Sequence, residues 1–148
     1  MATAFATSFL LVAPVWALML LAPGWRVTHR LVASPWVVAP AAAAYVVAVV
    51  PTLGDVLAAV APPELAGVAA LLGTPAGAMV AWAHFLAFDL FVARWIFLDS
   101  RDRVSHLAVA PILVATLMLG PVGLLAYLGV RSIAGRAGQT PTRLTRAI

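Results

Sequence analysis

The chain has 148 residues, 64% hydrophobic and only 9% charged, with a mean hydropathy of +1.06. Soluble domains carry about 25% charged residues, so too few polar side chains are present to cover a water-facing surface, and the composition points to a one-domain integral membrane protein. The net charge of +4 comes from nine Arg and no Lys against five acids, and the lack of Cys excludes disulfides, thiolate metal sites and thiol nucleophiles.

The basic residues sit at segment ends, where they act as membrane anchors rather than as a nucleic-acid patch. A run of about 20 apolar residues crosses a hydrocarbon core about 30 Å thick, and lipid offers open backbone no partners, so each crossing must be helical. Four runs qualify. The first covers residues 5–22; without a basic n-region and with so long an apolar stretch, it reads as a retained span and not a cleaved signal. No Arg- and Ser-rich import leader precedes it. "PGWRVTHRLVAS", residues 23–34, reads as a turn followed by a basic, amphipathic segment at the interface. The second span covers residues 35–53.

Residues 54–77, "GDVLAAVAPPELAGVAALLGTPAG", are nearly as apolar, but Pro62-Pro63-Glu64 divides them. Two prolines remove two helix donors and push the residue before each out of the α region. The expectation is two short re-entrant or interfacial helices around a bend at Pro62, with Pro63 and Glu64 in the first turn of the second; a fifth span is the alternative. The third span covers residues 75–98, "DSRDR" is a charged turn, and the fourth span covers residues 106–130, kinked within "LMLGPVGLLAY". The predicted fold is therefore all-α, with four transmembrane helices and a re-entrant or interfacial segment before the third. Residues 1–133 form the membrane domain and residues 134–148 a basic tail. With four spans, Arg26, Arg30, Arg101 and Arg103 lie on one side and Arg131, Arg136, Arg143 and Arg146 on the other, so the positive-inside count ties.

The third span, "AWAHFLAFDLFVARWIFLD", carries His84, Asp89 and Arg94 and closes on Asp99. Ionisable residues in a membrane are costly and face a cavity or a partner. At 100° per residue, His84 and Asp89 are about 140° apart, and so are Asp89 and Arg94. They do not share a face; each reaches a different neighbour unless a π-bulge draws His84 and Asp89 together. For His84 the plain reading is an interhelical hydrogen bond, for Arg94 a snorkelling side chain, for Asp99 an interfacial charge. Asp89 is hardest to explain by packing, because a carboxylate in hydrocarbon without a cationic partner costs several kcal/mol; it calls for function or a pair with Arg94. No P-loop, GxGxxG, HExxH or GxSxG motif is present, and His29, His84 and His106 are too far apart in sequence to argue a metal site. No cofactor or metal is expected.

The third span resembles the neoxanthin-synthase-like family, known from plant plastid membrane proteins whose loss causes abscisic acid deficiency. "LMLLAPGW", "PPELAGVAALLGTP" and "LMLGPVGLLAYL" extend the similarity over nearly the whole chain apart from the tail. With no transit peptide in the sequence, the expectation is a bacterial member, multi-pass in the inner membrane; a plastid membrane is the alternative if a transit peptide is missing. The resemblance implies conversion of a carotenoid 5,6-epoxide to an allene, an isomerisation that requires an acid, a base and an apolar groove for a polyene. In that frame Asp89 is the candidate acid, His84 the base, Arg94 the stabiliser of developing alkoxide, and Glu64 a second acid; acid and base are exchangeable. The competing functions are a non-enzymatic carotenoid- or lipid-binding accessory protein and a small scaffold held by an Asp–Arg pair. The expected partners are the bilayer, a hydrophobic small molecule such as a carotenoid and, as a homodimer, a second copy; nucleic acid is not expected.

Overall fold

The computed structural model describes residues 2–137, and within them the chain is helical with no strand. The part of the basic tail beyond residue 137 lies outside the described residues. Helix α1 (Ala2–Leu21) ends before a Pro23-Gly24 turn, and Thr28 Oγ1 donates back to Ala22 O at 2.8 Å. That bond sets the angle of α2 (Arg26–Ala33), which buries Thr28 and Val32 and leaves Arg26 and Arg30 exposed, the amphipathic segment the sequence predicts.

A tight helical turn at Pro35–Val38 leads into α3 (Ala39–Val49), and a second at Val50–Thr52 leads into α4 (Leu53–Val60). Prolines open both turns, yet the helical run is continuous from Pro35 to Val60. The second apolar run thus reaches past residue 53 and absorbs the first half of the segment expected to be re-entrant. The bend falls at residues 61–63, as the double proline requires, and α5 (Leu65–Leu72) follows. Glu64 takes the N-cap position instead of the first turn and makes no side-chain capping bond. Helix α5 packs back on α4.

Helix α6 (Pro75–Ser100) is opened by Thr74, whose Oγ1 accepts from Gly77 N at 3.0 Å. It is the hub of the fold, touching α1, α2, α3 and α5. Its buried positions, among them Ala83, Ala87, Leu90, Ala93 and Ile96, recur every three or four residues and mark one side of a helix. Alanine at three of these positions lets neighbouring backbones approach closely.

The last apolar run is not one helix. Helix α7 (His106–Leu119) and helix α8 (Pro121–Ala137) are separated at Gly120, where φ is 37°. Pro121 drives the residue before it out of the α region, and glycine takes a positive φ without steric cost. The chain reverses there. Gly123 lies against the Thr116 backbone so closely that a Cβ would collide with it. At the turn, Gly120 sits against the Asp89 side chain. At the other end of the seam, Tyr127 and Arg131 reach Asp99. Asp89 to Asp99 spans about 15 Å of helix, and Gly120 to Arg131 about 16 Å, so α8 returns alongside α6 to the end from which α7 set out. The kinked fourth span expected over residues 106–130 is therefore replaced by a helical hairpin. Helix α7, with 14 residues, is about 21 Å long and too short to cross a 30 Å core by itself.

This reversal gathers the arginines. His106 Nε2 donates to Leu20 O at 3.1 Å, and Arg94 bonds carbonyls at the end of α2, so the end of α1, α2, the end of α6 and the start of α7 share one pole with Arg131. Asp55, in the first turn of α4, and Glu64, at the start of α5, lie towards the opposite pole. Two helical runs, Pro35–Val60 and Pro75–Ser100, are long and apolar enough to cross a membrane. Only 6% of the apolar window in the first is buried, unlike the core helix of a soluble protein, and Leu10, Val47, Leu107 and Leu125 are also exposed. Contiguous apolar surface of this kind needs a non-aqueous surround or a partner.

Candidate functional site

Asp89 lies halfway along α6 in a cavity of about 260 Å³ walled by Trp82, Phe85 and Leu86 and by the α7–α8 turn from Leu117 to Pro121. Trp82 and Asp89 are two helical turns apart, so both face the hairpin. Trp82 is held by a stacked contact with Phe5, ring centroids 4.9 Å apart. Its Nε1 is buried and has no hydrogen-bond partner. No hydrogen bond or ion pair reaches the Asp89 carboxyl among the described residues, while a Cβ added to Gly120 would stand 2.6 Å from its Oδ1. Trp82 and the half-buried Asp89 therefore line one apolar pocket, and the Asp89 carboxyl has no protein partner there among the described residues. Buried polar groups without partners are rare, and Trp16 Nε1 is a second indole nitrogen of this kind in the core.

The other candidate residues stand elsewhere. The His84 ring stacks on Phe88 at 4.6 Å and meets Tyr45 edge-on at 5.4 Å; His84 is exposed on the α3-facing side of α6 and does not line the Asp89 cavity. Arg94 donates through Nη2 to Ala33 O at 2.6 Å and through Nε to Ser34 O at 3.3 Å. It thus caps the end of α2, where free carbonyls carry the negative end of the helix dipole, and the expected Asp89–Arg94 pair does not form. Glu64 is exposed in the α4–α5 turn, at the far pole. Helical spacing correctly separates the three polar groups, but a catalytic set built from His84, Asp89, Arg94 and Glu64 together is not assembled in one cavity.

Asp99 is more than an interfacial charge. Its Oδ2 accepts from Tyr127 Oη at 2.5 Å and from Arg131 Nε at 2.7 Å, and Arg131 Nη2 lies 3.4 Å from Oδ1. Tyr127 is fully buried and meets Trp95 edge-on at 5.3 Å. The Asp–Arg pair that joins helices is thus Asp99–Arg131, and it ties α8 to α6 with the hairpin tip against Asp89. Neither Tyr127 nor Trp82 stands out in the sequence, because a Tyr near an apolar segment end and a Trp in an apolar stretch read as belt and packing residues.

A second cavity, about 420 Å³ and almost wholly apolar, runs between α1, α3 and α6 past Leu11, Val47 and Met79. The two cavities have no lining residue in common, although Met79 lies one turn before Trp82 on α6.

Fold and site together define an all-helical protein with two helices long and apolar enough for a membrane, and a carboxyl lodged at the tip of a helical hairpin. The chain belongs to the ABA4-like family (ABA DEFICIENT 4-like), whose sequence model matches residues 3–127. That assignment agrees with the neoxanthin-synthase-like resemblance of the third span and fits a role in carotenoid metabolism. No match was found among curated proteins or among solved structures.

Proposed function

We propose that this protein is an integral membrane isomerase of a carotenoid or related isoprenoid epoxide, with Asp89 as the proton-transferring group. The observation that carries the reading is the Asp89 carboxyl, without a protein partner among the described residues, in an apolar cavity between α6 and the α7–α8 turn. The Trp82 ring forms an apolar wall of the cavity beside the epoxide. The neutral Asp89 carboxyl gives that oxygen its proton as the ring C–O bond breaks. The resulting carboxylate then takes the proton from the adjacent polyene carbon, and the C–H electron pair becomes the second double bond of the allene. Substrate and product are isomers, the carboxyl is regenerated, and no redox equivalent is used. One group serves in turn as acid and base, which suits a cavity that His84 does not line. The polyene lies in the groove between α1, α3 and α6.

In the bilayer, α1, the α3–α4 run and α6 cross, and the α7–α8 hairpin enters and leaves on the basic side. All of Arg26, Arg30, Arg101, Arg103 and Arg131 then face one leaflet, and the tie in the positive-inside count is broken in favour of a cytoplasmic basic pole in a bacterial cell membrane. The separation of His84 and Arg94 from the cavity also favours a second reading, a carotenoid-binding accessory protein that presents its pigment to an enzyme. Pigment analysis in a host that makes epoxy-carotenoids separates the two: an isomerase adds an allenic product, and Asp89→Asn abolishes it, whereas a binder yields retained pigment and no new product.

A further inference from the structure

Sequence spacing separates His29 from His106, but folding brings them to one pocket. A cavity of about 250 Å³ at the basic pole is lined by His29 from α2, Phe97 and Ser100 from the end of α6, Arg101, and His106 at the start of α7. His29 Nδ1 is buried and has no partner, and its ring rests 5.8 Å from the Phe97 ring. Leu20 O can only accept, so the His106 Nε2 bonded to it must carry the hydrogen. Ser100 Oγ gives its hydrogen to Phe97 O at 3.2 Å. Arg101 adds a guanidinium that cannot lose its charge. Helix α7 begins at His106, so the positive end of its dipole lies beside the pocket. The opposing charges are the carboxyl end of α6 and Asp102; Asp99 is occupied by Tyr127 and Arg131. Donors and positive charge prevail, so the complementary ligand is an acceptor-rich anion.

We propose that this pocket binds a phosphate group, as a phosphodiester of a membrane lipid headgroup or as free phosphate, with Arg101 as its charged contact and the His29 and His106 rings as its polar walls. The site is distinct from the Asp89 cavity and does not depend on the carotenoid reading. It places a headgroup-sized anion where α1, α2, α6 and α7 meet, at the pole that faces the anionic leaflet.

The test uses the full chain purified in detergent. Native mass spectrometry measures retention of added phosphatidylglycerol, and calorimetry measures binding of inorganic phosphate. The expected result is one retained phospholipid per chain, with retention reduced about fivefold by Arg101→Gln, the loss of one partly exposed charge contact, and reduced likewise by His106→Gln. Arg103→Gln, which removes a neighbouring charge outside the pocket, leaves retention unchanged. Arg101 is exposed, so its variant keeps the fold and the comparison stands even if His106→Gln is destabilised. Saturable inorganic phosphate binding with the same variant pattern but no lipid retention supports the site and identifies the soluble source. No binding in either arm overturns the proposal, as does an equal loss in Arg101→Gln and Arg103→Gln, which would reduce the effect to unspecific charge.

Discussion

Replacing Tyr127 with Phe removes one hydroxyl from the seam that holds α8 against α6 and leaves the ring in its contact with Trp95. The hydroxyl donates at 2.5 Å to a carboxylate that also receives Arg131 at 2.7 Å. Hydrogen bonds to charged groups contribute about 1.5–3 kcal/mol. The Asp99 carboxyl keeps its arginine in the variant and is 16% exposed, while the Arg131 side chain is 40% exposed, so solvent recovers part of the loss. The expected destabilisation of Tyr127→Phe is about 1 kcal/mol after that discount. The assay is reversible unfolding in mixed micelles as the fraction of dodecyl sulfate rises. A double-mutant cycle with Asp99→Asn isolates the pair, and a coupling of about 1 kcal/mol is expected because the two side chains touch. Additive effects within about 0.3 kcal/mol would refute the seam as the device that folds the hairpin back.

Three further outcomes follow from the same geometry. Gly123→Ala drives a Cβ into the Thr116 backbone, which cannot swing aside like a side chain, so it costs about 1–3 kcal/mol in the same unfolding assay. Trp82→Phe keeps a ring against Phe5 but removes a buried donor with no partner; the ligand-free protein is stabilised by about 1 kcal/mol, while pigment retention in purified protein falls. The chain has no Cys, so single substitutions at Arg103, Ile133 and Glu64 can be read with an impermeant maleimide; positions 103 and 133 label from one side of the membrane and 64 from the other, whereas a crossing fourth span would place 133 opposite 103.

The sequence was legible where one residue type decides. The double proline predicted the bend between α4 and α5, because no partner can restore two missing donors. The 140° steps predicted that His84, Asp89 and Arg94 address different neighbours, and they do: Tyr45 and Phe88, the hairpin tip, and the α2 carbonyls. Gly120-Pro121-Gly123 reads as a kink and is a reversal. The local chemistry of kink and reversal is the same. What separates them is a contact between residues 28 and 32 positions apart in sequence, Asp99 with Tyr127 and Arg131, which no local pattern contains. The misread turn carried the error into the charge count, since it placed Arg131 at the wrong pole. It also hid the cavity, whose second wall is the hairpin tip. His29 and His106 were likewise separable in sequence but adjacent in space.

The central claim is that Asp89 transfers the proton. Asp89→Asn keeps the shape of the side chain and removes its acid–base function. In cells that make epoxy-carotenoids, matched for the amount of membrane-inserted protein, chromatography should show the allenic product with the natural chain and a drop of about 100-fold or more with Asp89→Asn, the scale of general acid–base catalysis, while the variant still retains pigment. Product formed by Asp89→Asn at the rate of the natural chain would contradict the account.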